Sequence, residues 1–173
     1  MKSTTLTLIW LLGLASPGGP AQNNAPPARE DQLAVVVHKS NPVENLSLDD
    51  LHNLCLAEKK HWDNGRKITV VLRELGEPER QAVMSIVFRM KENEFTRYFI
   101  QREFTGNVGT TPKQLATSAG VRRFVFNVPG ALGFIRPFEL DESVKLVRVN
   151  GRAPGEAGYP LVLQTKEPKE TEL

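Results

Sequence analysis

Asn127-Val128-Pro129-Gly130-Ala131-Leu132-Gly133-Phe134-Ile135 is the stretch that decides the fold. It reads as a helix exit, a Pro-Gly turn and a short strand. Proline lacks the amide that a helix interior needs, so a helix arriving at Asn127 stops here. Gly130 is free to take a positive φ in the turn. Residues 131–135 are apolar at every position rather than at alternate ones. A strand of that kind is covered on both faces, which places it inside a layered sheet.

Working outward, Val121, Phe124 and Val125 give the preceding helix its apolar face, and Ser118 reads as its cap. Residues 33–38 are a β-branched run, so a first buried strand. Residues 67–73, centred on Ile68, Val70, Val71 and Leu72, form a second. Residues 144–149 alternate as a further strand, and residues 161–163 are a short last one. Between the first two strands, Ser47 and Asp50 form a capping box, with Leu46 and Leu51 at the hydrophobic-staple positions. Leu48, Leu51, Leu54 and Cys55 line one face of the helix that follows. Pro78 suits the first position of another helix. Val83, Ile86, Val87 and Met90 are its core stripe, and Phe95, Tyr98 and Phe99 mark a further one. Residues 105–110 read as a loop. Thr111-Pro112-Lys113-Gln114 reads as a helix start, with Thr111 as cap and Pro112 at the first turn. Strands alternating with helices predict an α/β fold. The expected architecture is a single layered domain over residues 33–165, with a mixed, mostly parallel sheet flanked by helices.

The chain has 173 residues, enough for one domain with a substantial core. Its 22 basic and 20 acidic residues are interspersed, which argues against nucleic-acid binding. Cys55 is the only cysteine, so neither an intramolecular disulfide nor a cysteine-based metal cluster can form. Lys2, the apolar residues 6–15 and the small residues after them have the pattern of a secretory signal peptide. The apolar run is shorter than the roughly 20 residues a membrane-spanning helix needs. No cysteine follows it to carry a lipid anchor. Residues 1–21 are therefore expected to be a signal peptide, 22–32 a flexible leader and 166–173 a disordered tail. Export with a lone cysteine fits a bacterial periplasm, or secretion.

Signatures of catalysis are missing: the sequence contains no G-x-S-x-G, no G-x-x-x-x-G-K-[ST] and no H-E-x-x-H. His38, His52 and His61 have no ligand spacing among themselves. Cys55 sits on the apolar stripe, where a thiol is buried and inert. The expectation is a protein that is not an enzyme and holds no metal or cofactor.

The string P-G-A-L-G-F-I resembles the second lobe of phosphate-type periplasmic substrate-binding proteins of ABC transporters. So do Trp62 after Glu58-Lys59-Lys60-His61, the strand closing on Arg73, and Asn150-Gly151-Arg152-Ala153-Pro154 followed by Tyr159-Pro160-Leu161. These pieces fall in one order over residues 33–163. The resemblance implies one lobe of a type II periplasmic binding protein. It also implies an oxyanion site, in which helix-terminal amides, hydroxyls and an arginine hold a dehydrated anion. Arg73 matches the arginine and Gly76 the glycine of the segment R-x-D-G-S-G-T. Leu75 replaces its acid, and Glu77-Pro78-Glu79 stands where Ser-Gly-Thr is expected. Pro78 removes an amide donor, and the two glutamates suit the first turn of a helix. Ser40, at the end of the first strand, and Thr110 and Thr111, before Pro112, complete the expected ligand set. The implied function is an exported, non-catalytic protein that binds phosphate or another oxyanion weakly, with a membrane transporter or another envelope protein as partner. The alternative is an envelope protein–protein interaction module that has lost its ligand.

Overall fold

The apolar run is a strand, β5 (Ala131–Ile135), and all five of its residues are buried. The computed structural model describes residues 30–106 and 111–163. The expected signal peptide, the expected tail and Thr110 lie outside the described residues. In chain order the other elements are β1 (Ala34–His38), β2 (Asn45–Leu46), α1 (Leu48–Cys55), β3 (Thr69–Arg73), α2 (Pro78–Val83), α3 (Glu92–Phe104), β4 (Lys113–Leu115), α4 (Ser118–Asn127) and β6 (Val144–Val149). A π-helical turn, Met84–Phe88, continues α2 and ends at Arg89, whose φ is 56°.

One six-stranded sheet runs in the order β2-β6-β1-β5-β3-β4. β5 pairs parallel with β3, β3 with β4, and β2 with β6. β1 is antiparallel to both of its neighbours, β5 and β6. The sheet is thus mixed and mostly parallel, as the alternation of strands and helices implies. Val35, Val37, Val70, Leu72, Leu132 and Phe134 point to one face. There they pack with Leu51 of α1, Val83 of α2 and Phe95 and Phe99 of α3. Val36, Val71, Ala131 and Ile135 point to the other and meet Val121 and Val125 of α4. Gly133 lies under α4, where a Cβ would come within 2.6 Å of Val121 Cγ1.

Local chemistry sets the ends of these elements. Ser47 Oγ accepts from Asp50 N at 2.9 Å, and Ser47 N donates back to Asp50 Oδ2 at 3.3 Å, which closes the capping box of α1. Cys55 is fully buried on that helix, and burial pushes its thiol up, away from the reactive thiolate. Gly130 does not take a positive φ. Its requirement is space, because a Cβ there would collide with the backbone carbonyl of Lys67. Trp62 Nε1 and Thr69 N donate to Gly130 O at 3.0 and 3.1 Å, tying the Pro-Gly turn to the start of β3. Tyr159 OH donates to Leu33 O at 2.7 Å and Leu33 N to Leu161 O at 2.9 Å. The Tyr159-Pro160-Leu161 segment thereby closes over β1.

Four local readings are corrected. Thr111-Pro112-Lys113-Gln114 does not begin a helix; it leads into β4, which pairs with the edge of β3. Thr117, not Ser118, caps α4, its Oγ1 accepting from Gly120 N at 3.0 Å. Residues 161–163 form no strand and make one isolated bridge, Gln32 with Val162. That bridge and the bond from Gly155 N to Gln32 Oε1 at 2.6 Å bring Gln32, expected in the leader, into the folded body.

Candidate functional site

Two arginines leave the sheet side by side. Arg73 is the last residue of β3. Arg136 follows the last residue of β5. The two strands are parallel neighbours, so both guanidinium groups sit at the carboxyl end of the same part of the sheet. In α/β sheets, ligands bind beyond that end. An open cavity of about 640 Å³ lies there, lined by Arg73, Arg136, Glu79, Thr117, Ser118 and Phe138 among others.

The sequence places each group for a local reason. After Arg73 the chain turns sharply through Gly76, whose φ of 93° disfavours any side chain. Pro78 then starts α2, with Glu77 at its N-cap and Glu79 in its first turn. Glu77 makes no side-chain capping bond. Its carboxylate turns back to Arg73, with Nη2 donating to Oε2 at 2.7 Å. Arg73 Nη1 reaches Ser118 Oγ at 3.4 Å, at the first turn of α4. The first amides of a ten-residue helix have no intrahelical acceptor, so α4 presents its positive end to the cavity. Glu79 is 9 % exposed at its side chain and receives Arg136 Nε on Oε1 at 2.6 Å. Arg136 also donates Nη1 to Glu30 O at 2.6 Å. Behind the site Arg80, only 3 % exposed, forms a two-pronged pair with Glu92 at 2.6 and 2.9 Å. It donates a third bond to Arg73 O at 3.1 Å, which fixes the end of β3.

The two ends of the sheet separate the expected ligand set. Arg73 and Gly76 lie at the cavity. Ser40 follows β1, and because β1 is antiparallel to β5, it emerges at the opposite end. There its Oγ accepts from Arg66 Nη1 at 2.6 Å and contacts His38 Nδ1 at 2.9 Å. Thr111 precedes β4, which is parallel to β3, so it too lies at the far end. Its Oγ1 donates to Glu103 Oε1 at 2.8 Å. Ser40 and Thr111 therefore do not share a site with Arg73. A second cavity, of about 520 Å³, opens near Ser40, but its walls carry Asp50, Glu58 and Asp63. Its lysine, Lys59, is paired with Asp63 at 2.6 Å, so it offers no net cation to an anion.

Arg136, Glu79 and Arg80 were not singled out as site residues from the sequence. Arg136 had a signal, since it closes an apolar strand as Arg73 does. Glu79 stands in the segment that matches the oxyanion motif, but its pairing with Arg136, 57 residues away, leaves no trace in the sequence, and neither does that of Arg80 with Glu92.

No family model matches the chain. Among solved structures, it is similar to a phosphate ABC transporter substrate-binding protein from Clostridium perfringens with bound phosphate. The two share 26 % identity at a TM-score of 0.59, over 72 % of this chain and 47 % of that one. An ABC-type phosphate transport receptor from Vibrio cholerae matches at 25 % identity and a TM-score of 0.59, over 72 % of this chain and 48 % of that one. PstS from Borrelia burgdorferi shares the fold at 12 % identity and a TM-score of 0.57, over 77 % and 55 % of the two chains. The fold matches that of about half of a phosphate-type substrate-binding protein of ABC transporters. The chain spans about half the length of the solved proteins it matches.

Proposed function

We propose that the chain is an exported, non-catalytic binding protein that holds an oxyanion such as phosphate weakly at the carboxyl ends of β3 and β5. The observation that carries this reading is the position of Arg73. It closes an interior strand, its side chain is 11 % exposed, and it faces the first turn of α4. Its guanidinium can give charge-assisted bonds while the helix amides complete the cradle. Gly76 keeps the backbone turn that brings α2 close. The likeness to a protein solved with bound phosphate supports the same ligand chemistry.

The glutamates set the strength. Glu77 already occupies one nitrogen of Arg73, and Glu79 one of Arg136. An incoming anion must displace or approach these carboxylates. Like charges about 4 Å apart cost on the order of 4 kcal/mol at an effective dielectric of 20. Each ~1.4 kcal/mol is tenfold in affinity. Calorimetric titration with phosphate is therefore expected to give a weak, millimolar constant. Glu77→Ser should tighten it at least tenfold, and Arg73→Ala should abolish it. Tight binding by the native chain that survives Arg73→Ala would place the anion elsewhere. Export rests on the pattern of the first residues. N-terminal sequencing from cells is expected to find a start between residues 16 and 24, and an intact Met1 on cytoplasmic protein would refute it.

One observation favours a second reading, an envelope interaction module. Leu75 and Phe138, on the loops after β3 and β5, are 68 % and 70 % exposed beside the paired arginines. A protein partner, either a transporter component or another envelope protein, would bury them. Loss of a pull-down partner in Leu75→Ser/Phe138→Ser, with phosphate binding intact, would separate this role from the first.

A further inference from the structure

We infer that Arg136 is a second anion-binding residue of this cavity, and that it grips the anion from the opposite face of the sheet to Arg73. The inference rests on reading this cavity as an oxyanion site, and adds a residue to it. Successive side chains of a strand point to opposite faces. In β3, Val70 and Leu72 belong to the core under α1, α2 and α3, and Val71 to the core under α4. Arg73, two residues after Val71, therefore stands on the α4 face. In β5, Leu132 and Phe134 belong to the first core and Ile135 to the second. Arg136, next after Ile135, therefore stands on the α2 face. Their partners agree, since Arg73 reaches Ser118 of α4 and Arg136 reaches Glu79 of α2. β3 and β5 are parallel neighbours, and neighbouring strands lie about 4.8 Å apart. Two guanidinium groups thus flank the end of the sheet, one on each face, and both line the same cavity.

Arg136 is the more available of the two. Its side chain is 23 % exposed, about twice the figure for Arg73. A guanidinium carries five N–H groups. Arg136 gives Nε to Glu79 Oε1 and Nη1 to Glu30 O, and its Nη2 makes no hydrogen bond among the described residues. Nη2 is not a buried atom, so its N–H groups are open to water. Arg73 has both terminal nitrogens engaged, Nη2 by Glu77 and Nη1 by Ser118. An anion competes with Glu77 at Arg73, whereas at Arg136 Nη2 it displaces only water. The neighbouring carboxylates hold Arg136 in place. Glu79 takes its Nε, and Glu139 accepts from its backbone amide at 2.9 Å. Pairing with Glu79 cancels most of the long-range field of Arg136, so its share in binding is directional. A planar fork supplies such bonds to an oxyanion, and a lysine ammonium does not.

The test is titration of the full chain with inorganic phosphate at constant ionic strength, followed by NMR of the arginine side chains. In the native chain the Arg136 Nε–H resonance is expected to shift with phosphate along the same curve as that of Arg73. Arg136→Lys keeps the charge beside Glu79 but loses the fork, and should weaken binding at least fivefold. Arg136→Gln combined with Glu79→Gln removes the ion pair without leaving a buried carboxylate unpaired. That double variant should bind phosphate at least fivefold more weakly than Glu79→Gln alone. An Arg136 resonance that stays still while that of Arg73 moves overturns the inference. So does unchanged affinity in both Arg136 variants, and if Arg73→Ala still abolishes binding, the oxyanion reading stands without Arg136. No phosphate binding by the native chain overturns both the inference and the reading beneath it.

Discussion

Gly130 shows how much one residue can decide. The carbonyl of Lys67 occupies the space a Cβ would need, and Trp62 and Thr69 both donate to the Gly130 carbonyl. The turn thus holds β5 in register with the start of β3, and the two arginines at the far ends of those strands inherit that alignment. Gly130→Ala forces the backbones apart, and overpacking of this kind costs about 1–3 kcal/mol. Urea unfolding should show a loss in that range, and a change below about 0.5 kcal/mol would mean that the turn relaxes freely. The need for glycine here was legible in Pro129-Gly130, but its cause was not. A positive φ is a local property, whereas a collision with Lys67, 63 positions earlier, exists only after folding. The same holds for Trp62, visible as a motif residue, whose bond to Gly130 O spans 68 residues.

Elements were legible where local chemistry and packing agree. α1 is an example: its Ser47–Asp50 box and its buried Leu51, Leu54 and Cys55 tell one story. Ser47→Ala removes the cap and should cost about 1 kcal/mol. Hydrogen bonds from the Ser47 side chain and backbone hold the Asp50 carboxyl below the usual carboxylate range. A lowered native value means that this stabilisation is complete above the unfolded value of about 4 and is lost as pH falls through the native one. The stability gap between native and Ser47→Ala chains should therefore shrink between pH 6 and pH 2. A gap unchanged over that window would show that the hydroxyl alone acts as cap. β4 is the opposite case. Thr111-Pro112-Lys113-Gln114 carries the signals of a helix start, but the same Pro also suits the beginning of an edge strand. The open edge of β3 decides, through the pairs Val71 with Lys113 and Leu72 with Gln114. Tertiary pairing of that kind leaves no trace in four residues.

At the scale of the whole molecule, the direction of β1 separates what the sequence could assemble from what it could not. Alternating strands and helices imply an α/β sheet, and Arg73 at the end of a strand implies a site. Neither reveals that β1 runs against β5, which sends Ser40 to the end opposite Arg73. The sheet is completed from outside its ladders by residues 159–163. Tyr159, Leu161 and Leu163 are buried, and Tyr159 and Leu161 bond to the Leu33 backbone. Burying one such side chain contributes about 1.5–3 kcal/mol. The three together approach the 5–15 kcal/mol that holds a domain folded. A chain ending at Gly158 should consequently lose its cooperative unfolding transition at 25 °C, measured by circular dichroism in urea. Leu33, just before the central strand β1, would be left open to water, and the loss would spread through β5 to both arginines. A truncated chain that still unfolds cooperatively, within about 1 kcal/mol of the full one, would show that the sheet closes without this segment.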